Sequence, residues 1–179
     1  MKPEKSICLI LIILTVSSCL SIKPATTKSG KHLWEEFYVS PEVNQYFIKP
    51  LTFSNSNNDD QFAVDFTFRN GSDSVTVNFS ILSEKTIATP DQITFDNNNG
   101  SIKISNRHTL LKEKTNKKIK LRQTGKISFN EFTRLFAGNK WIVTTINDSA
   151  STTFNPANKT LKHIKSLNIN LLDVIKPEV

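Results

Sequence analysis

Three histidines, sixteen acidic residues and two cysteines are the side chains of this 179-residue chain with the most scope for chemistry. His32, His108 and His163 stand far apart, and none has a second ligand at metal spacing, so they read as surface histidines. No Gly-x-Ser-x-Gly turn presents a nucleophile, and no glycine-rich loop is built to cradle phosphate. Two carboxylates flanking a bond could run glycoside hydrolysis. Glu35 and Glu36 are adjacent, however, and on a strand neighbours point to opposite faces. Asp59 and Asp60 fall in an asparagine-rich loop, and Asp65 falls on the polar face of a strand. All three read as solvated charges. Asp96-Asn97-Asn98-Asn99-Gly100 has the composition of a calcium loop, but its glycine comes too early and no acid closes it. It reads as a hairpin turn. These residues point to no enzyme, no metal and no cofactor; a hydrolase assembled from distant residues is the remotest reading. Aromatic rings remain: Trp34, Phe37 and Tyr38 cluster early, and Trp141 sits alone on a later strand. Trp34 and Trp141 could form a platform for a small ligand or glycan, with core packing as the simpler account.

The charge is concentrated. Between Lys103 and Lys126 lie nine basic residues and one acid, Glu113, a surplus larger than the +7 of the whole chain. In Lys118-Ile119-Lys120-Leu121-Arg122, three cations share one strand face and two aliphatics the other. If Leu110 to Lys114 pairs back across Thr115-Asn116, a cationic ribbon results, with Lys112, Lys114 and Lys117 joining Lys118, Lys120 and Arg122. Such a ribbon holds anions by summed Coulomb attraction, and lipid or glycolipid headgroups are the partners expected. Lysines on an edge strand also serve simply to block sheet-to-sheet aggregation, and both readings stand. Nucleic acid is not an expected partner, because no aromatics interleave the cations for base stacking.

Lys2 and Lys5 open the chain, and an apolar run follows from Ile7 to Val16, with small residues after it. These are the three parts of a secretion signal. The run is far short of the roughly 20 residues a spanning helix needs. Val16-Ser17-Ser18-Cys19 then resembles the lipobox of bacterial lipoproteins: a branched apolar residue, two small ones and a cysteine. The resemblance covers residues 1–19 only. It implies cleavage before Cys19, a lipid on its thiol and a membrane attachment in the bacterial envelope. Leu20 stands where such proteins carry Asp when they are retained in the inner membrane, so the resemblance implies the outer membrane. Both cysteines, Cys8 and Cys19, lie in this segment, so residues 20–179 form no disulfide among themselves.

The expected organisation is a signal over 1–18, a lipid-anchored tether over 19–31 and one domain over 32–179. Twelve phenylalanines and two tryptophans supply its core. Phe62, Val64, Phe66 and Phe68 alternate with polar residues from Gln61 to Arg69, and Val75, Val77, Phe79 and Ile81 repeat the pattern from Ser74 to Leu82. Asn70-Gly71-Ser72-Asp73 joins the two as a hairpin turn. Ile93–Phe95 and Ile102–Ile104 predict a second hairpin, and Lys117–Arg122 and Lys140–Ile146 two further strands. Trp34–Val39 and Tyr46–Phe53 are also expected strands, with Pro50 forcing an edge or an interruption. Ser128-Phe129-Asn130-Glu131 matches a capping box and predicts a short helix ending at Gly138. A helix is expected from near Pro156, with a switch to strand after Ser166 left open. Seven to nine strands and one or two short helices make a mainly β, antiparallel, sandwich-like domain, with α+β as the alternative. Five Asn-x-Ser/Thr sequons, beginning at Asn70, Asn78, Asn99, Asn147 and Asn158, reflect composition and are not expected to be modified. The expected role is binding or scaffolding at the envelope. A small-ligand or glycan-binding lipoprotein is the alternative.

Overall fold

The computed structural model describes residues 33–172 and 175, apart from 58, 86, 116, 139 and 149. The signal segment, Cys19 and the tether lie outside the described residues. Period-two alternation becomes strand throughout. The first six strands are β1 (Trp34–Ser40), β2 (Val43–Ser54), β3 (Gln61–Arg69), β4 (Ser74–Ser83), β5 (Gln92–Asn97) and β6 (Gly100–Lys103). Four follow: β7 (Ser105–Thr115), β8 (Lys118–Ser128), β9 (Ile142–Asn147) and β10 (Ala150–Pro156). The helices are α1 (Phe129–Ala137) and α2 (Asn158–Leu167), the latter continuing into a π-helical turn over Asn168–Leu172.

All pairings are antiparallel, in the order β6-β5-β9-β10-β2-β3-β4-β8-β7, with β1 added beside β2. The domain is mainly β, as expected, and its sandwich character comes from one curled sheet. Only Asn155 and Pro156 of β10 pair with Ser54 and Phe53 of β2, so the sheet is narrowest there. Across the curl, Phe62 of β3 lies 5.6 Å from Phe154 of β10 and 6.3 Å from Phe95 of β5, ring to ring. Burying both flanks against each other removes apolar faces that neither could hide alone.

Helix α1 fills the space between the flanks. Ser128 accepts from the Glu131 amide at 3.2 Å and Glu131 accepts from the Ser128 amide at 2.8 Å, so both halves of the capping box form. Phe132, Leu135 and Phe136 are buried, with Phe132 5.5 Å and Phe136 5.7 Å from Phe66. The stop at Gly138 works differently from the expectation. Gly138 is extended (φ −80°, ψ 144°), so no left-handed residue is required. Instead Asn97 Nδ2 donates to the carbonyls of Arg134 and Leu135, and a Cβ on Gly138 would strike Asn97 at 2.5 Å.

Among the described residues ten strands replace the seven to nine expected, and β10 is the one that sequence periodicity did not reveal: Phe154 is its only buried side chain. Pro50 sits where the β2–β3 register shifts, between Ile48 and Leu51, an interruption that suits a residue without an amide hydrogen. Leu167 to Leu171 is not a strand. Leu167, Leu171 and Leu172 are buried while Ile169 is exposed, a helical rather than an alternating pattern, and Asn170 Nδ2 donates back to the Ser166 carbonyl at 2.8 Å.

Gly125 on β8 is required by close approach. A Cβ there would lie 2.4 Å from Ile104 Cγ2 and 2.9 Å from the Ser105 carbonyl oxygen. Because the second neighbour is backbone, Gly125→Ala should destabilise by about 2 kcal/mol through overpacking. The readout is a lowered denaturation midpoint at unchanged slope. An unshifted midpoint would mean that the Ile104–Arg107 segment moves aside freely.

Candidate functional site

Two surfaces qualify as sites, the basic ribbon and a groove at one end of the sheet. In the ribbon, β7 pairs with β8 over Lys118 to Lys126, as the sequence suggested. The register at the turn sets the consequence. Thr115 opposes Lys118, so Lys112 opposes Leu121 and Lys114 opposes Ile119, whereas Lys118, Lys120 and Arg122 take the other face. Further along, Thr109 opposes Gln123 and Leu111 opposes Arg122, so Leu110 is an extra residue on β7 and the alternation changes phase only beyond it, toward Ser105. The cations are thus divided between two faces and do not form one strip.

On the second face each cation meets an acid. Arg122 Nη2 lies 3.0 Å from Asp65 Oδ2, Lys120 Nζ 3.5 Å from Glu113 and Lys118 Nζ 3.9 Å from Glu84. The expectation of a solvated Asp65 is overturned, because the residue is only 2% exposed and its carboxylate also accepts from Asn78 Nδ2 at 2.9 Å. Burial without these partners would be costly, so Arg122 is structurally committed. Lys112 Nζ donates to the Ile87 carbonyl at 2.8 Å, and Arg107 holds the Pro90 and Asp91 carbonyls. Lys112, Lys114 and Lys117 remain exposed at the hairpin end.

The groove is built from the ends of four segments. In the β1–β2 hairpin Trp34 opposes Ile48, Glu36 opposes Tyr46 and Tyr38 opposes Asn44, so all six share the core-facing side of the sheet. Tyr46 in turn opposes Phe68 of β3. The rings run in series: Trp34 to Tyr46 at 6.0 Å, Tyr46 to Phe68 at 5.1 Å and nearly parallel, Phe68 to Phe129 at 5.9 Å. Here the strands outrun the core, leaving a cavity of about 680 Å³, within the range of small-ligand sites. Tyr46, Phe68 and Phe129 form its apolar part, with Ile175 beside them. Asn70, Ser72, Asp73, Ser128 and Asn130 supply the polar rim, and among the described residues no lysine or arginine lines it.

The rim is pinned. Gly71 takes φ +75° in the β3–β4 turn, open to glycine without strain. Asn70 Oδ1 accepts from the Asn44 amide at 2.6 Å, its Nδ2 donates to the Glu42 carbonyl at 2.8 Å, and the Phe129 amide donates to the Asp73 carbonyl at 2.8 Å. Glu36 Oε1 accepts from Tyr46 Oη at 3.0 Å and Asn44 Nδ2 at 2.9 Å. Burial, then this carboxylate, raises the Tyr46 hydroxyl above its ordinary value of 10.0, so it stays a neutral donor through the physiological range.

Trp34 is partly buried beside this groove, whereas Trp141 is fully buried and cannot serve as an exposed platform. Trp141 stacks on Phe53 at 6.2 Å and meets Phe136 edge-on at 4.6 Å. Periodicity placed Phe68 on the buried face of its strand, but it did not mark Tyr46, Phe68 or Phe129 as site residues. The available signal was that the alternation on β3 ends at Phe68 immediately before a turn, which leaves that ring at the edge of the core. Glu35 and Glu36 do point apart, Glu35 binding Lys49 at 2.9 Å on the opposite face. His108 is exposed on β7, and His163 lies on α2, its pKa lowered by burial and then by Lys159. Among the described residues no group of three or more His, Cys, Asp or Glu side chains could hold a metal, and no helix is long and apolar enough to cross a membrane. What the groove can do chemically is bind: its rings offer flat apolar contact and its rim offers donors and acceptors, and the Ser128 hydroxyl is already held 2.8 Å from Glu131. No protein-family model, no curated protein and no solved structure matches this chain.

Proposed function

We propose that this chain is a non-enzymatic, lipid-anchored binding protein of the bacterial envelope that takes a small ligand in the groove beside Trp34. The observation carrying the binding role is the pinned cavity of about 680 Å³ with aromatic walls and an uncharged-to-acidic rim. The location rests on the export segment and on Val16-Ser17-Ser18-Cys19, with Leu20 favouring the outer membrane. Contact with anionic lipid or glycolipid headgroups is a second reading. It draws support from Lys112, Lys114 and Lys117, since a lipid chain joined to a basic patch makes a two-signal anchor. Lys118, Lys120 and Arg122 add little to it, each being paired with an acid.

Radiolabelled palmitate fed to expressing bacteria should enter the wild-type protein and fractionate with membranes. Cys19→Ser should carry no label and appear in the soluble fraction. A labelled Cys19→Ser protein, or an unlabelled wild type, overturns the anchor. Fragment screening by NMR tests the groove independently: bound fragments should perturb Tyr46, Phe68 and Phe129, and perturbation confined to other surfaces overturns the groove.

A further inference from the structure

The sheet face that brings Tyr46 to the groove extends outward along β1. Tyr38 is 69% exposed and shares the face of Trp34 and Tyr46. Trp34 to Tyr38 spans four strand steps, about 13 Å. On that face aromatic rings alternate with groups that donate and accept hydrogen bonds, Glu36 and Asn44 beside Trp34 and Tyr38. We propose that this face binds an uncharged pyranose oligosaccharide, its length lying along β1 and one end entering the groove. The inference rests on the groove being a binding site and adds the ligand class.

The chemistry favours a saccharide on three counts. A pyranose ring presents C–H groups of slight positive charge, which meet the negative face of an aromatic ring. Its hydroxyls both donate and accept, as do the Asn70, Ser72 and Asn130 side chains of the rim. An anionic ligand would find no lysine or arginine among the described residues of the lining. An ammonium ligand needs only one ring face and leaves the row from Trp34 to Tyr38 unused, whereas a saccharide engages its whole length. The length of the platform calls for several sugar units.

Trp34 is a built-in reporter, because Trp141 is sealed in the core. Chitotetraose and maltotetraose, two neutral tetrasaccharides of different shape, are titrated into the full chain in neutral detergent while tryptophan fluorescence is followed. At least one should give a saturable change, with N-acetylglucosamine or glucose binding about tenfold more weakly than its tetramer. Tyr38→Ala should weaken the tetrasaccharide about fivefold and Trp34→Phe somewhat less, each aromatic face being a modest contributor. Tyr38→Ala should leave the thermal midpoint unchanged, which separates lost binding from lost folding; binding in Trp34→Phe is read by calorimetry. Equal affinity for monomer and tetramer, or affinity untouched by Tyr38→Ala, overturns the extended site. Saturation by tetramethylammonium with no response to either sugar overturns the saccharide and leaves the groove reading standing. Silence from every probe, with no fragment perturbing the groove, removes both.

Discussion

Phe62→Ala should lower the free energy of unfolding by about 4 kcal/mol, the upper part of the range for aromatic deletions in a closed core. Phe62 has no exposed surface and touches rings on both flanks of the curl: Phe79 at 5.5 Å on its own side, Phe95 at 6.3 Å and Phe154 at 5.6 Å across it. Its neighbours are strand residues held by backbone pairing, so they cannot collapse into the void. The loss exceeds the transfer term for that reason, and it is a large share of the 5–15 kcal/mol typical of a domain. Denaturant titration measures it. Phe37→Ala is the internal control: Phe37 is 47% exposed on β1, and its loss should change stability by under about 0.5 kcal/mol. A Phe62→Ala loss no larger than the control would mean that the two flanks do not pack through this ring.

Arg122→Met should cost about 3 kcal/mol, the low end for breaking a buried pair, because part of the Arg122 side chain stays in water. The variant keeps the aliphatic stem and removes the charge. Asp65, with 3% of its side chain exposed, is then left with the Asn78 amide alone, while Ser80 loses the Arg122 Nη1 contact of 3.2 Å. Asp65→Leu combined with Arg122→Met should recover most of the loss, because the penalty lies in a stranded carboxylate and not in the absence of a pair. Equal destabilisation in the single and double variants would place the cost in the packing of the arginine stem.

The ribbon shows how far a charge count departs from a field. Opposite charges within 4 Å look neutral beyond a Debye length of about 8 Å. Glu84 and Asp65 come from β4 and its following turn and from β3, so the neutralisation of Lys118 and Arg122 was invisible within residues 103–126. At the hairpin end Lys112 and Lys114 keep an outward field on a strand whose outer edge is unpaired among the described residues, with Lys117 in the turn beside them, and Lys103 and Lys126 are exposed further along. That geometry suits the aggregation-blocking role of edge lysines as well as contact with headgroups.

Local chemistry was legible wherever one element suffices to express it. Alternation in Gln61–Arg69 and Ser74–Ser83 specified strands and their buried faces, since side-chain direction in a strand repeats every two residues whatever lies opposite. Ser128 and Glu131 specified a helix start, because both partners sit within one turn. Partnership across the chain was not legible. Asp65 reads as a surface acid until curl and register bring Arg122, 57 residues away, to its carboxylate. Trp141 reads as a core residue or a ligand platform, with core packing the simpler account, and only the tertiary structure decides it, with Phe53, Phe66, Phe95 and Phe136 closed around the indole. The register at the turn, Thr115 opposite Lys118, puts Lys112 and Lys114 on the other face from Lys118, Lys120 and Arg122, and register is defined only against the opposing strand. The groove is the extreme case: Tyr46, Phe68, Asp73 and Phe129 come from four segments and acquire a common wall only when β2, β3, β4 and β8 pair in register. Intrinsic preference is carried by each residue, whereas a cavity is a property of the distances between them.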